Sequence, residues 1–123
     1  MRKMNGLGDL ERAVMDSLWE SPTPQTVRQV HADLSRDRSL AYTTVMTVLD
    51  NLHGKNWVTR ERVGRAYHYR PRLSKTAAIA ETVRGILDES DESEAILLHF
   101  AQSTSDDESD ALRRGLRRRA RRT

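Results

Sequence analysis

The side chains best placed to do chemistry lie in one short run, LAYTTVMTVLDNL at residues 40–52. Thr43, Thr44, Met46, Thr47 and Asn51 supply hydroxyls, methyl groups, a thioether and an amide. Threonine can touch a thymine methyl and hydrogen-bond a base edge or phosphate, and asparagine can pair bidentately with adenine. This set reads a nucleic-acid groove; it does not break bonds. No Lys or Arg joins this face before Lys55, so strong guanine reading is not expected. A modest preference for A·T-containing sites is expected instead. Asp50 could accept from a cytosine amino group or stay clear of the phosphates.

Base contacts specify a site, but phosphate contacts supply much of the affinity. The candidates for those are Tyr42 at the mouth of the run, Lys55 after it, and Arg60, Arg62 and Arg65 beyond. Arg28 is an upstream addition. Gly64 permits a tight turn that lets Arg65 project. Taken singly, each arginine reads as an ordinary surface charge; position singles out Arg65.

Other chemistries find no support. No nucleophile–base pattern, glycine-rich phosphate loop or carboxylate pair stands out, so the chain does not read as an enzyme. His31, His53, His68 and His99 are scattered without metal-ligand spacing, and cysteine is absent. No metal or cofactor is expected. Trp19, Trp57, Tyr67 and Tyr69 read as packing residues.

The elements that must position these residues follow from apolar spacing. Leu7, Leu10, Val14 and Leu18 predict a first helix over residues 8–20. Thr23 can cap the next helix with Pro24 at its first position, and Thr26 is a rival cap. Val27, Val30 and Leu34 line that second helix; residues 35–39 read as a turn or loop. The third helix buries Val45, Val48, Leu49 and Leu52, with Leu40 and Val45 at staple positions if Ala41 is the cap. Ala41 caps weakly, so this helix start depends on packing or a ligand phosphate. Gly54-Lys55-Asn56 reads as a helix exit. Residues 57–62 and 66–70 alternate like strands around Val63-Gly64-Arg65, with Tyr67 and Tyr69 on one face, His68 on the other, and Pro71 closing the hairpin.

A polar-faced helix followed by a basic hairpin is how a winged helix-turn-helix protein meets DNA. The fold class expected is mainly α with a small β-hairpin wing. Residues 1–72 form the DNA-binding domain, and residues 73–123 form a helical dimerisation domain with an Arg-rich tail. That second part carries Ile79, Val83, Ile86 and Leu87, then Ile96 and Leu97 in a short apolar helix, then Leu112 and Leu116. About 50 residues with so few large apolar side chains make a marginal core alone. A symmetric homodimer built on these helices supplies the missing burial.

Charge is unevenly laid out in a chain of net +3. Residues 1–72 hold twelve Lys and Arg against eight Asp and Glu, and residues 73–123 hold nine against ten. Within the latter, nine acids occupy 88–110 without a Lys or Arg, and seven arginines follow. Such blocks usually mean solvated surface or a mobile tail, with phosphate binding as the alternative. No apolar run is long enough to cross a bilayer, and Arg2 and Lys3 lead into no signal-peptide core. A cytoplasmic protein without membrane insertion is expected.

The blocks LGDLERAVMDSLWE, TVRQVHADL, LAYTTVMTVLDNLHGKNWV and GRAYHYRP, in order from Leu7 to Pro71, resemble the penicillinase-repressor (BlaI/MecI) family of bacterial regulators. Helical patterning extends the likeness more loosely to Leu116. The resemblance implies a dimeric repressor on a double-stranded DNA operator, with a winged domain and a helical dimerisation domain. It implies control of β-lactam-resistance or related stress genes. By position, residues 42–55 are its recognition helix, with Thr43, Thr44, Met46 and Thr47 toward the bases. The resemblance also implies dyad operators with TACA/TGTA-type cores. Family members often carry a basic residue in place of Asn51, another in place of Gly54, and glycine in place of Asn56. Release from DNA in the family follows cleavage of an Asn-Phe bond under control of a membrane-bound sensor protease. His99-Phe100 stands at the corresponding place, keeping Phe but not Asn. Relatives that sense copper use C-terminal cysteines, which this chain lacks. Two other readings are a winged protein-interaction module, which needs an apolar patch on the third helix, and a small-molecule-sensing regulator, which needs a polar cluster in the C-terminal stripes.

Overall fold

The computed structural model describes residues 7–122; the outer limits expected for the two domains, at residues 1–6 and 123, lie outside the described residues. The described residues form six helices and one hairpin, and the chain divides into two compact units between Val83 and Arg84.

In the first unit, α1 spans Asp9–Glu20, and Gly8 is its N-cap rather than its first residue. The Glu11 carboxylate accepts the Gly8 N–H at 3.0 Å, satisfying a donor at a cap that has no side chain of its own. α2 spans Val27–Leu34. Its cap is Thr26, not Thr23. Thr26 Oγ1 accepts the Gln29 N–H at 3.2 Å, while Gln29 Oε1 accepts the Thr26 N–H at 2.8 Å. This reciprocal capping box outcompetes Pro24, because the lead-in is used otherwise. Gln25 N–H donates to Tyr69 O and Tyr69 N–H to Gln25 O, both at 2.8 Å, so Gln25 forms a third, one-residue rung beside the hairpin.

α3 spans Tyr42–Gly54, with Ala41 as an N-cap that offers no side-chain hydrogen bond. It ends in a Schellman arrangement. Trp57 N–H reaches Leu52 O at 2.9 Å and Asn56 N–H reaches His53 O at 3.2 Å. Asn56 adopts φ 66°, the left-handed conformation that asparagine tolerates and glycine supplies without cost. Trp57 is thereby spent on the helix exit, and β1 begins one residue later than its alternation predicts.

β1 (Val58–Val63) and β2 (Ala66–Pro71) pair antiparallel from Val58↔Pro71 to Val63↔Ala66. Gly64, at φ 64°, opens the two-residue turn, as glycine does in primed hairpin turns. The pleat places Val58, Arg60 and Arg62 on the same side as Tyr69 and Tyr67. That side is buried at its base, Val58 and Tyr69, and exposed toward its tip.

The core joins Leu7, Val14, Met15, Leu18, Val30, Val45, Leu49, Leu52, Val58 and Tyr69. Each large apolar side chain there contributes about 1.5–3 kcal/mol of transfer free energy. Trp19 stacks edge-on against Trp57 with centroids 6.5 Å apart, and its Nε1–H donates to Leu73 O at 3.1 Å. Both tryptophans are packing residues.

α4 runs Lys75–Asp88 across the division. The second unit continues with α5 (Ser93–Ala101) and α6 (Asp106–Arg122), neither containing a buried residue. The arginine run, expected as solvated surface or a mobile tail, is exposed and helical to Arg122. No helix among the described residues is long and apolar enough to cross a membrane.

Candidate nucleic-acid interface

The heptad geometry of α3 buries Val45, Val48, Leu49 and Leu52 and leaves Tyr42, Thr43, Thr44, Met46, Thr47, Asp50 and Asn51 exposed. The five base-facing candidates therefore share the solvent side of one helix. Thr47 differs from the other two threonines: its hydroxyl donates to Thr43 O at 2.9 Å. Its hydrogen is committed to the helix backbone, so toward an outside partner Thr47 presents acceptor lone pairs and a methyl group.

The entrance of α3 is fixed by His31. Its Nε2 lies 2.7 Å from Leu40 O, and its ring meets Tyr42 edge-on at 5.8 Å. A carbonyl can only accept, so Nε2 carries the proton. Tyr42 remains 46% exposed, held beside a helix start whose first-turn N–H groups have no side-chain cap. Thr44 N–H already donates to Ala41 O at 3.1 Å, and the N–H groups of Tyr42 and Thr43 before it, at a positive dipole end, suit a phosphate.

The exit of α3 is fixed by Lys55, whose Nζ lies 2.9 Å from both oxygens of Glu11. The wing is fixed by Arg60. Its Nη1 donates to Asp50 Oδ1 at 2.9 Å and to the Tyr69 hydroxyl at 3.5 Å, and its guanidinium covers the Tyr67 ring at 4.1 Å. These contacts, the Tyr69 hydrogen bond foremost, raise the Arg60 pKa above its ordinary value. Lys55 and Arg60, expected as phosphate ligands, are thus already engaged within the fold. Asp50 is not an idle acid here, because one of its carboxylate oxygens pairs with Arg60.

Arg62 and Arg65 are different. Both are exposed, and neither is in an ion pair among the described residues. Arg62 lies 5.7 Å from the Tyr67 ring centre, and its Nε donates to Gly64 O at 3.4 Å. Arg65 projects from the turn into the rim of a groove of about 500 Å³. That groove is bounded by Thr26 and Arg28 of the α2 end, Tyr42 and Met46 of α3, and Tyr67 of β2. Of the α2 start, sequence reasoning offered Arg28 as a phosphate candidate and Thr26 as a cap, but not the groove that they wall.

The remaining candidates lie on α4, α5 and α6. Val83 and Ile86 of α4, Ile96, Leu97 and Phe100 of α5, and Leu112 and Leu116 of α6 are all exposed. Ile79 is half-buried, and Leu87 is already buried within its own chain. His99 and Phe100 lie in the last turn of α5 with their side chains exposed. No cluster of three or more metal-ligating side chains exists among the described residues.

The family model of the penicillinase repressor matches residues 7–118, nearly the whole chain. The chain belongs to the penicillinase repressor family. It is 50% identical over 119 residues to the transcriptional regulator BlaI of two Mycobacterium tuberculosis strains, covering 94% of this chain and 86% of that protein. It is thus a homologue of a transcriptional regulator. A solution structure of the BlaI DNA-binding domain matches with 25% identity and a TM-score of 0.53, over 62% of this chain and 92% of that one. Bacillus licheniformis BlaI, solved as a monomer with the blaP half-operator, matches at 25% identity and a TM-score of 0.50 over the same shares. A Staphylococcus aureus MepR mutant bound to an oligodeoxyribonucleotide, 15% identical with a TM-score of 0.51 over 93% of this chain and 78% of that one, shares the fold. The winged-helix class expected from the polar-faced helix and basic hairpin is therefore the class observed.

Proposed function

We propose that this penicillinase-repressor family member is a homodimeric repressor that occupies a two-fold symmetric DNA operator. The observation that carries the reading is the joint exposure of Thr43, Thr44, Met46, Thr47 and Asn51 on one face of α3, beside a wing whose Arg62 and Arg65 lack ion-pair partners among the described residues. α3 enters the major groove and its side chains read base edges. Tyr42, Arg62 and Arg65 hold phosphates, with Lys55 and Arg60 contributing charge while bracing the fold. Residues 1–72 act as the DNA-binding part and residues 73–123 as the dimerisation part. The apolar side chains left uncovered on α4, α5 and α6 support a partner copy, which places two α3 helices about 34–36 Å apart, or a multiple of that.

The regulated genes are those of β-lactam resistance or a related stress response. Induction follows cleavage near His99-Phe100 by a membrane-bound sensor protease, which severs α5 and removes the gain of linked half-sites, worth factors of about 10² to 10⁴. The protein works in the cytoplasm and catalyses no reaction. A gel shift with a dyad-bearing fragment of its own promoter, in moderate salt against a scrambled fragment, tests the reading. A discrete complex on the dyad alone is expected; equal binding to both fragments would defeat it.

A further inference from the structure

The repressor reading assigns α3 and the wing to DNA and leaves the arginines of α6 without a task. Residues 113–122, RRGLRRRARR, hold seven arginines, no lysine and no acid, on an unbroken helix. At 3.6 residues per turn, Leu112, Leu116 and Ala120 fall within about 80° of one another. Arg114, Arg117, Arg118 and Arg121 fall within about 100° on the opposite side. The apolar stripe and the arginine strip thus look in different directions, and covering the first leaves the second open.

Ordinary structural duties do not use up this charge. The macrodipole favours Arg119, Arg121 and Arg122 in the last turn, as it favours Asp106, Asp107 and Glu108 in the first, but it leaves their charge unneutralised and its influence fades within a turn. Among the described residues only Arg113 of the seven has a carboxylate partner, Asp110 at 2.7 Å. Arg114, Arg117, Arg118 and Arg121 sit at i, i+3, i+4 and i+7, where like charges repel along a helix. A polyanion relieves that repulsion. Solubility would be served equally by lysine, whereas the guanidinium fork matches phosphate oxygens.

We propose that the arginine face of α6, formed by Arg114, Arg117, Arg118 and Arg121, is a second, sequence-independent binding site for the phosphates of duplex DNA. The ligand rests on the repressor reading, since a chain already held on an operator meets flanking phosphates at high local concentration. Ten helical residues reach about 15 Å, along which a duplex presents a charge about every 1.7 Å. An anionic membrane suits this helix less well, because its apolar stripe has two leucines and no aromatic anchor.

The test uses the full chain carrying Arg114, Arg117, Arg118 and Arg121 all changed to Gln, and a second version with all four changed to Lys. Binding to a random-sequence duplex and to the promoter dyad is followed by fluorescence anisotropy across a salt series. The Gln version should lower the slope of log K against log salt by about 3 to 4 units on both duplexes, near 0.9 per lost phosphate contact. It should keep its preference for the dyad, and the Lys version should keep most of the slope. An unchanged slope in the Gln version, with the wild type still binding the dyad, overturns the proposal alone. So does loss confined to vesicles of phosphatidylserine, or loss confined to self-association in sedimentation equilibrium. A wild type that binds neither duplex overturns the repressor reading, and this proposal with it.

Discussion

Arg60 of β1 and Asp50 of α3 tie the wing to the helix beside it, with Nη1 2.9 Å from Oδ1. The pair is half-exposed, so solvent screening limits it to about 0.2–1 kcal/mol, but Arg60 also covers Tyr67. The two partners should therefore respond differently. Asp50→Asn should cost under about 1 kcal/mol in urea unfolding and tighten binding to any duplex, since it removes a negative charge and frees Arg60. Arg60→Ala should cost about 1–2 kcal/mol, because the ring contact goes as well. Equal losses in stability would show that Tyr67 gains nothing from the guanidinium.

The wing tip should behave as a phosphate ligand rather than a reader. Arg65→Ala should weaken binding uniformly across sequences and lower the salt slope by about one unit. Anisotropy on matched and mismatched duplexes separates this from a specificity effect.

Thr44 and Thr47 should act on discrimination. Thr44→Ala should alter the ranking among sites without changing the salt slope. Thr47→Val keeps the methyl but loses the acceptor that the bond to Thr43 leaves available. It should cost about 1–3 kcal/mol only where a base amino group faces it. A uniform loss on every duplex would place Thr47 against phosphate instead.

Gly64 stands at φ 64°, with open space where a Cβ would go. Gly64→Ala therefore clashes with no neighbour and carries only the backbone penalty, about 1–2 kcal/mol. Urea unfolding should show that loss, and DNA affinity should fall with it as Arg65 is re-aimed. Unchanged stability would mean that the turn relaxes to another form.

Glu11 serves two elements at once, accepting the Gly8 N–H and the Lys55 ammonium. Glu11→Ala should cost about 1–2 kcal/mol through the lost cap and ion pair together. Lys55→Ala should cost less, since the cap survives. Calorimetry or urea unfolding reads both.

The apolar periodicity of α1, α2 and α3 and the alternation of the hairpin were legible because one face of each element is buried and the other wet. Asn56 in the left-handed exit was legible for a local reason too. Three features were not. Thr26 prevails over Thr23 because Gln25 is drawn into a bridge with Tyr69, a residue 44 positions away that no local pattern reveals. The pairs Asp50–Arg60 and Glu11–Lys55 join different elements, so the same residues read in sequence as free charges. The helical state of the arginine run beyond Leu116 was hidden by its composition. Charge blocks signal solvation, whereas acid-first, arginine-last order along α6 also favours a helix through its dipole.

The most direct measurement is titration of the intact chain onto a promoter dyad, with stoichiometry from sedimentation and contacts from hydroxyl-radical footprinting. Two chains per duplex are expected, with protection repeated on the two half-sites about one helical turn, or a multiple of it, apart. Arg65→Ala should weaken that protection, and Thr44→Ala should shift site preference. A chain that sediments as a single copy at micromolar concentration and protects no dyad would contradict the account.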